Sequence, residues 1–238
     1  MLKQFLLASF ACALAVVSGF GVSTKAEAKP VYTVAMDAAY PPFGSQDLKS
    51  KEYVGYDVDI IKAIAAKEGF AVKIRNLQFD GLIPALRTGN IDIAINDITI
   101  TPDRAKNVDF SHRYYIAGLG VSIGSTGEEA ARKIKNADVH VYNQLNEAYL
   151  ELRNGGVDAV VNDIPTNDYY VATAGRGAVK ALPVALTQED LGIAVKKGNT
   201  KLLTQINDGL AKIKKDGEFA KIYHKWFGKQ PPKALLHD

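Results

Sequence analysis

Two short segments pair an amide with a carboxylate, and they are the residues of this sequence best suited to chemistry. Asn96 and Asp97 end one apolar run, and Asn162 and Asp163 end another. Carboxylate and amide side chains in a cleft can hold a small polar molecule by hydrogen bonds. A carboxylate in a cleft can also act as a general acid. The residue types predict a site for a small polar molecule and leave binding and catalysis both open.

These two pairs belong to an internal repeat. Residues 85–101 align with residues 151–167 without a gap, and seven of the 17 positions are identical. Each copy reads as the end of a helix, a glycine, an apolar strand and then Asn-Asp-Ile. Chance could give two helix–strand units the same glycine and apolar strand, but Asn-Asp-Ile at the same offset favours a structural repeat. We expect two α/β lobes that direct Asp97 and Asp163 into one cleft, because open α/β sheets bind ligands at the carboxyl ends of their strands.

Alternating strands and helices must position these residues. Apolar runs predict strands at Val31–Met36, Val72–Asn76 and Ile91–Ile95. The helical spacing of apolar residues predicts one helix capped by Asp57 and another at Leu82–Thr88. Because the links between these elements are short, the crossovers should be right-handed and the sheet parallel.

Residues 1–28 have the features of a secretory signal peptide. A short basic start precedes an apolar stretch over residues 5–22, and residues 26–28 match the small-x-small pattern of a cleavage site. A membrane anchor is the alternative, because about 18 apolar residues can just span a bilayer. Two glycines in the stretch and the cleavage pattern disfavour the anchor. We expect cleavage before Lys29 and a periplasmic product.

Composition and charge argue against several classes of function. The 238 residues are 47% hydrophobic and 23% charged, which is typical of a globular protein. A net charge of +3 with mixed signs gives no basic stripe for nucleic acid. The one cysteine, Cys12, lies in the leader, so no disulfide or thiolate chemistry is expected. The sequence lacks the common phosphate-loop, nucleophile-elbow and metal-ligand motifs, so neither a cofactor nor a metal is expected.

A series of short motifs resembles the periplasmic polar amino acid-binding proteins of ABC importers, which are solute-binding proteins of family 3. In chain order, the motifs are Asp37-x-x-Tyr40-x-Pro-Phe43, Gly55-Tyr-Asp-Val-Asp59, Phe79-x-Gly-Leu-Ile-Pro-Ala-Leu86, Ile98-Thr-Ile-Thr-x-x-Arg104, Asp109-Phe-Ser111, Gly124-Ser-Thr-Gly127, Val157-Asp-Ala-Val-Val-Asn-Asp163 and Ile222-Tyr-x-Lys-Trp-Phe-Gly228. Each motif is weak alone, but their common order makes the resemblance specific. It covers residues 31–228.

The resemblance implies a type II periplasmic binding protein fold with two α/β lobes. Lobe 1 is expected to comprise residues 29–113 and 192–238, and lobe 2 residues 119–186. A two-strand hinge at residues 114–118 and 187–191 would join them.

One departure from the family pattern concerns lobe 2. Directly after Val121 the sequence lacks about two dozen residues that the family usually has, including a helix and a strand. We therefore predict that the second lobe is shortened, has a small hydrophobic core and depends on packing against the first lobe for its stability. The sequence alone leaves open whether the deletion is natural or engineered.

The resemblance also implies which residues bind the head group of an amino acid. Arg104 is expected to grip the α-carboxylate, because its planar guanidinium fits two carboxylate oxygens. Thr99 and Thr126 would add donors, and Thr126 lies before a helix whose free N–H groups can meet a carboxylate. Asp163 would pair with the α-ammonium, helped by the backbone carbonyl of Asp97. A surface arginine and a helix-capping aspartate are the alternatives for Arg104 and Asp163.

Other residues are expected to contact the side chain of the ligand. Tyr40 and Phe79 match the two aromatic residues that sandwich it, although aromatic residues are more often part of a core. Polar contacts that set specificity are expected from Asp37, Asn96, Asp97 and Asn162. The carboxylates of Asp37 and Asp97 point to a cationic or amide side chain such as arginine, lysine or glutamine, unless they serve as caps.

The function implied is capture of a polar L-amino acid of the glutamine, arginine and lysine class and its delivery to the permease of an ABC importer. We expect a monomer without enzymatic activity and without a nucleic-acid partner. The main alternative is a dehydratase-like enzyme on the same fold, acting on a small carboxylic acid, with Asp37, Asp97 or Asp163 as general acid. A free-standing sensor or adaptor would have the same sequence features.

Overall fold

The computed structural model describes residues 28–117, 125–182 and 186–236. The predicted signal peptide, apart from Ala28, lies outside the described residues, as does residue 118 of the predicted hinge. Residues 119–124 and 183–185 of the predicted second lobe and residues 237–238 of the predicted first lobe also lie outside them. Within the described ranges, no helix has the length and apolar character needed to cross a bilayer.

Strands and helices alternate along the first half of the chain, and three of the described helices follow the last described strand. The strands are β1 (Val31–Met36), β2 (Ala39–Tyr40), β3 (Gly44–Gln46), β4 (Tyr53–Val54), β5 (Ala71–Asn76), β6 (Ile93–Ala94), β7 (Val108–Ala117) and β8 (Glu189–Lys196). The helices are α1 (Tyr56–Glu68), α2 (Phe79–Thr88), α3 (Pro102–Ala105), α4 (Thr126–Ala131), α5 (Leu145–Asn154), α6 (Ile164–Ala172), α7 (Thr200–Lys215), α8 (Glu218–Phe227) and α9 (Lys233–Leu236).

The main sheet has the strand order β5-β1-β6-β8-β7. Strand β1 pairs in parallel with β5 and β6, which confirms the parallel arrangement predicted for the first three strands. Strand β6 is only two residues long and therefore shorter than the predicted strand at Ile91–Ile95. Strand β8 runs antiparallel to both of its neighbours. The main sheet thus combines strands from the first half of the chain with β8 from the second half.

Apolar side chains cover both faces of this sheet. Neighbouring β1 residues Val34 and Ala35 belong to two different cores, as the alternation of a strand requires. The larger core lies under α1, α7 and α8 and is rich in aromatic rings. There the ring of Phe227 lies 5.0 Å from that of Tyr56 and 4.9 Å from that of Tyr115. The smaller core lies under α2.

Helix α1 begins differently from the prediction. Gly55 is its N-cap, with a φ of 147°, a backbone angle that glycine adopts readily. Asp57 lies in the first turn and is buried. Its carboxylate accepts hydrogen bonds from the hydroxyl of Tyr114, at 2.9 Å, and from the backbone N–H of Asp97, at 3.1 Å. The capping role predicted for Asp57 was wrong, because the helix starts at the glycine and the aspartate faces inward.

The segment from residue 125 to residue 182 contains helices α4, α5 and α6, but its described residues form no strand. The apolar strand predicted in the second copy of the repeat, Val157–Val161, is therefore not formed as a paired strand. A strand needs a partner, and no described strand lies beside this run. Instead, a largely apolar cavity of about 550 Å³ lies along it, with Val171 and Val179 on its wall.

The small core of this segment depends on a residue from the first part of the chain. Tyr40 packs with Leu145 and Tyr149, and the ring of Tyr149 stacks on that of Tyr170 with 3.9 Å between centroids. Few buried apolar side chains are available here, so Tyr40 supplies packing that the segment does not supply for itself.

The connection between the two parts runs through β7 and β8. These strands pair antiparallel, with Tyr115 opposite Leu191 and Ala117 opposite Glu189. They include residues 114–117 and 189–191 of the two segments predicted as a hinge, whereas Thr187 and Gln188 precede β8. The division of the chain into lobes at these residues stays a prediction.

Replacing Gly55 with alanine should destabilise the protein strongly. The added Cβ would overlap the backbone carbonyl of Phe43, and a φ of 147° is unfavourable for alanine. We expect the free energy of unfolding to fall by about 3 kcal/mol or more, because overpacking and backbone strain add. Urea denaturation measures this change.

Gly69→Ala is the matched control. Gly69 ends α1 with a φ of 72°, and no atom lies within 4 Å of a Cβ added there. Only the left-handed backbone conformation should then cost stability, by about 1 kcal/mol. Equal losses in the two variants would contradict the overlap at Gly55.

Candidate functional site

A small cavity lies where α2, α3, α4 and the segment before α6 meet. Its free volume is about 20 Å³, which is room for about one water molecule. The lining residues are Tyr40, Phe79, Asp97, Thr99, Arg104, Ser125, Thr126, Asn162 and Asp163. Eight of the ten predicted ligand-binding residues are therefore brought together, although they come from both copies of the repeat and from segments outside it. A more open hollow of about 240 Å³ lies on the other side of Arg104 and Thr126.

Arg104 is held in place from three directions. Thr101 caps the short helix α3 by accepting a hydrogen bond from the Arg104 backbone N–H at 3.2 Å. The guanidinium donates to the backbone carbonyl of Thr99 at 3.0 Å and lies 5.3 Å from the ring centroid of Phe79. Burial lowers the pKa of Arg104 from its high ordinary value, but an arginine stays charged at neutral pH. The site therefore presents one fixed positive charge.

Asp97 occupies an unusual backbone conformation. Its φ is 53°, in the left-handed region that residues other than glycine seldom adopt. Its backbone N–H is bound by the buried carboxylate of Asp57, and burial raises the pKa of Asp57 to about 7. Both carboxylate oxygens of Asp97 are buried without a hydrogen-bond donor among the described residues. A side chain in this state is poised to accept hydrogen bonds from a bound cation.

Asp97 and Asp163 form a buried pair of carboxyl groups. Burial and the neighbouring Asp163 raise the pKa of Asp97 well above its usual range. Burial is also the main cause that raises the pKa of Asp163 to about 7, with a contribution from Glu189. Two enclosed carboxylates repel each other and lose hydration. A cation placed between them would relieve both effects.

Asp163 is the residue that precedes α6, but its side chain makes no capping hydrogen bond with that helix. The predicted alternative, a purely capping role, therefore has no support in the geometry. Asp163 is free to face the cavity that it lines.

The two predicted aromatic residues lie against each other. The ring centroids of Tyr40 and Phe79 are 6.1 Å apart, and the ring planes meet at 29°. A planar group inserted between two rings needs contacts of about 3.5 Å on each side, or about 7 Å in total. The rings would have to separate by about 1 Å to sandwich a ligand.

Asp37 and Asn96 do not line the cavity; they connect the elements around it. The Asp37 carboxylate accepts hydrogen bonds from the backbone N–H groups of Ala39 and Phe79, both at 3.2 Å. The Asp37 backbone N–H donates to the Asn96 side chain at 2.6 Å. Burial raises the pKa of Asp37. These contacts fix the start of α2, and hence Phe79.

Asn162 lines the cavity and is also part of a polar network. Its amide donates to the hydroxyl of Tyr149 at 3.1 Å, and that hydroxyl donates to the side chain of Asn167 at 2.9 Å. The side-chain amide of Asn167 donates a hydrogen bond to the backbone carbonyl of Asn162 at 2.7 Å. The network holds the Asn162–Asp163 pair of the second repeat in place.

Two residues at this site were not predicted from the sequence. Ser125 lines the cavity and caps α4 by accepting from the backbone N–H of Glu128 at 3.2 Å. Glu189 begins β8 and accepts hydrogen bonds from the hydroxyls of Thr99 and Thr126. The Gly-Ser-Thr-Gly motif could have identified Ser125. Glu189 is a single acidic residue in a predicted hinge, and no motif in the sequence indicated that it belongs to the site.

The arrangement can bind a small molecule that carries both signs of charge. Arg104 can hold a carboxylate, and Asp97 and Asp163 can hold ammonium or guanidinium groups. Among the described residues, no group of three or more His, Cys, Asp or Glu side chains could hold a metal ion.

Comparison with known proteins gives a consistent result. Residues 32–229 match the model of the bacterial extracellular solute-binding proteins, family 3. The chain is 34% identical to the L-arginine-binding protein of Pseudomonas aeruginosa, covering 91% of this chain and 94% of that one. It is similar to the solved structure of an ancestral arginine-binding protein bound to arginine, with 39% identity, a TM-score of 0.80 and coverage of 84% and 99%.

A third relative, from Neisseria gonorrhoeae, is described as a probable histidine-binding protein. It is 31% identical over 265 aligned positions, covering 98% of each chain. That alignment is 27 positions longer than the 238 residues of this chain. At least 27 aligned positions therefore have no residue here.

The buried carboxylates should make the protein less stable at high pH when no ligand is bound. The folded state retains protons on Asp57 and Asp163 up to about pH 7, whereas an unfolded aspartate releases its proton near pH 4. Stability should therefore fall as the pH rises from about 4 to about 8. We expect the melting temperature of ligand-stripped protein to be several degrees lower at pH 8 than at pH 5.5.

Asp163→Asn tests how much the cavity contributes to this dependence of stability on pH. The variant removes one of the two like charges, so it should melt about 3 °C or more above the wild type at pH 8 and show a shallower dependence on pH. Asp208→Asn, at an exposed position of α7, is the control and should follow the wild-type curve. A loss of stability in Asp163→Asn at pH 8 would show that the ionised carboxylate is stabilising.

Proposed function

The chain belongs to family 3 of the bacterial extracellular solute-binding proteins, and we propose that it binds a cationic L-amino acid, with arginine as the preferred ligand. The amino acid would lie in the cavity around Arg104 and be delivered to an ABC importer. Binding rather than catalysis is the role of the named relatives.

The charge balance of the site carries this proposal. Two carboxyl groups, those of Asp97 and Asp163, line the cavity, and Arg104 is the cation among its described lining residues. The head group of an amino acid offers one charge of each sign and so leaves an excess of negative charge in the cavity. A guanidinium or ammonium on the ligand side chain would neutralise part of that excess, whereas the amide of glutamine would not.

We assign roles to the lining residues on this basis. Arg104 would hold the α-carboxylate in a bidentate pair, and Asp163 the α-ammonium. Tyr40 and Phe79 would flank the side chain, because an aromatic face attracts a cation. Asp97 would accept hydrogen bonds from the ligand, which would satisfy oxygens that otherwise lack donors. Asp37 and Asn96 would act indirectly by positioning Phe79.

Binding would require the cavity to open. A free volume of about 20 Å³ does not admit an amino acid, and the aromatic rings must also separate. The antiparallel pair β7 and β8 is the described connection between the two sides of the cavity and would act as the hinge. Closure around the ligand would then exclude water and strengthen the charged hydrogen bonds.

We also propose that the second lobe is shortened relative to the family. Three observations support this proposal. The described residues form no paired strand along Val157–Val161, an apolar cavity lies beside that run, and at least 27 positions of the alignment with the Neisseria gonorrhoeae relative have no residue in this chain. The remaining helices α4 to α6 would still deliver Thr126 and Asp163 to the cavity.

The predicted location and partner follow the family. Export into the periplasm through a cleaved signal peptide, a monomeric state and a membrane permease as partner remain proposals. The dehydratase-like alternative would use one raised-pKa carboxylate, such as Asp163, as a general acid. It predicts turnover of a small carboxylic acid, whereas a binding protein releases its ligand unchanged.

Calorimetric titration of residues 29–238 against the twenty amino acids tests the proposal. The protein is first unfolded and refolded to remove any ligand carried through purification. We expect one-to-one binding of arginine that is at least about tenfold tighter than binding of glutamine, because one further ion pair contributes about 1.4 kcal/mol or more. No binding by folded protein, or a preference for glutamine, would contradict the proposal.

Arg104→Ala should abolish most of the affinity. The variant leaves the ligand carboxylate without its partner in a water-poor site, and such truncations cost at least about a hundredfold in affinity. Arg104→Lys keeps the charge but not the fork and should bind with intermediate affinity. Arg153→Ala, at an exposed position of α5, is the control. Wild-type affinity in Arg104→Ala would show that Arg104 does not bind the carboxylate.

A further inference from the structure

Glu189 makes hydrogen bonds that set it apart from the other acidic residues at the cavity. Its Oε2 atom accepts from the hydroxyl of Thr99 at 2.6 Å and from the hydroxyl of Thr126 at 2.7 Å. The two hydroxyl oxygens are 3.4 Å apart. A single carboxylate oxygen thus connects the segment before α3 with the first residue of α4.

The same two hydroxyls are those expected to bind the carboxylate of the ligand. A threonine hydroxyl has one proton to donate, and in this structure both protons go to Glu189. A ligand carboxylate that approaches Arg104 therefore meets two hydroxyl groups whose donors are in use. It also meets the negative charge of Glu189, which already acts on Arg104.

We propose that Glu189 is an internal competitor of the ligand's carboxylate. Its side chain occupies the Thr99 and Thr126 donors when the ligand is absent, and the ligand must displace it to use them. This inference rests on the proposed function, since it concerns the carboxylate end of the same site. It makes Glu189 a residue that lowers affinity for carboxylate-bearing ligands rather than one that adds to it.

A neighbouring group can receive the displaced side chain. The hydroxyl of Thr187, which is exposed, donates to the other carboxylate oxygen, Oε1, at 3.2 Å. Rotation of Glu189 toward Thr187 would keep one hydrogen bond and let solvent reach its charge. The exchange therefore does not require Glu189 to become buried without a partner.

Glu189 should also attach α4 to the rest of the protein. Thr126 is the first residue of that helix, and Thr99 forms an isolated bridge with Leu191 beside the main sheet. Loss of the carboxylate would release the helix end from this anchor even in the absence of a ligand.

Two ligands that differ only at the carboxylate test the competition. Wild type, Glu189→Ala and Glu189→Gln are titrated with arginine and with argininamide, which has no carboxylate. We expect Glu189→Ala to bind arginine about five- to tenfold more tightly than the wild type, with no gain for argininamide. Glu189→Gln keeps an acceptor for the hydroxyls but not the charge, so its gain should be smaller.

The neighbouring Asp190→Asn variant is the matched control. Asp190 lies on the same strand and pairs with Arg113 at 3.2 Å, away from the cavity. Its ratio of arginine to argininamide affinity should equal that of the wild type. Equal weakening of both ligands by Glu189→Ala would overturn the proposal, because Glu189 would then be an ordinary anion for the ligand's side chain.

A measurement without ligand separates this inference from the proposed function. Amide hydrogen exchange at Thr126–Ala131 of stripped protein should be faster in Glu189→Ala than in the wild type and unchanged in Asp190→Asn. If no amino acid binds to the wild type, the proposed function fails, and this exchange still reports on the anchor. Exchange at α4 that is unchanged in Glu189→Ala would overturn the role of Glu189 at the two hydroxyls.

Discussion

The buried carboxylate of Asp57 connects the three elements on which the cavity depends. It lies in the first turn of α1, accepts a hydrogen bond from Tyr114 of β7 and holds the backbone N–H of Asp97. A left-handed conformation at an aspartate is costly and persists only where the surroundings impose it. The Asp57 contact is one such constraint, and through it the position of α1 fixes where the carboxylate of Asp97 lies. The other walls of the cavity are arranged around that point.

The repeat is used differently in its two copies. Asn96 binds the backbone of Asp37 and lies outside the cavity, while Asn162 lines the cavity and binds Tyr149. The aspartates that follow, Asp97 and Asp163, meet face to face. One motif thus supplies both scaffold and cavity-lining groups, because the first copy ends a paired strand and the second does not.

Much of the fold and of the candidate site could be predicted from the sequence, because strand periodicity and motif order are local properties. The parallel strands follow from the apolar runs and the short links between them, and the gathering of residues such as Arg104 and Thr126 around one cavity follows from the family that the motifs resemble. The inward turn of Asp57 could not be predicted, since its choice between capping and burial depends on distant partners. Glu189 was missed for the same reason: its two hydroxyl partners are 90 and 63 residues away. The strand predicted at Val157–Val161 requires a neighbour that local periodicity cannot supply.

The strand order has a consequence for how the protein is made. Strand β8 is the last strand of the chain, yet it lies between β6 and β7 in the main sheet. The sheet cannot be completed until residues 189–196 have been synthesised, and until then β6 lacks its second neighbour and β7 lacks its described partner. Such long-range pairing slows folding. A nascent chain of this topology completes its main sheet only late in synthesis, so the strands that are made first must wait for the neighbour that is made last.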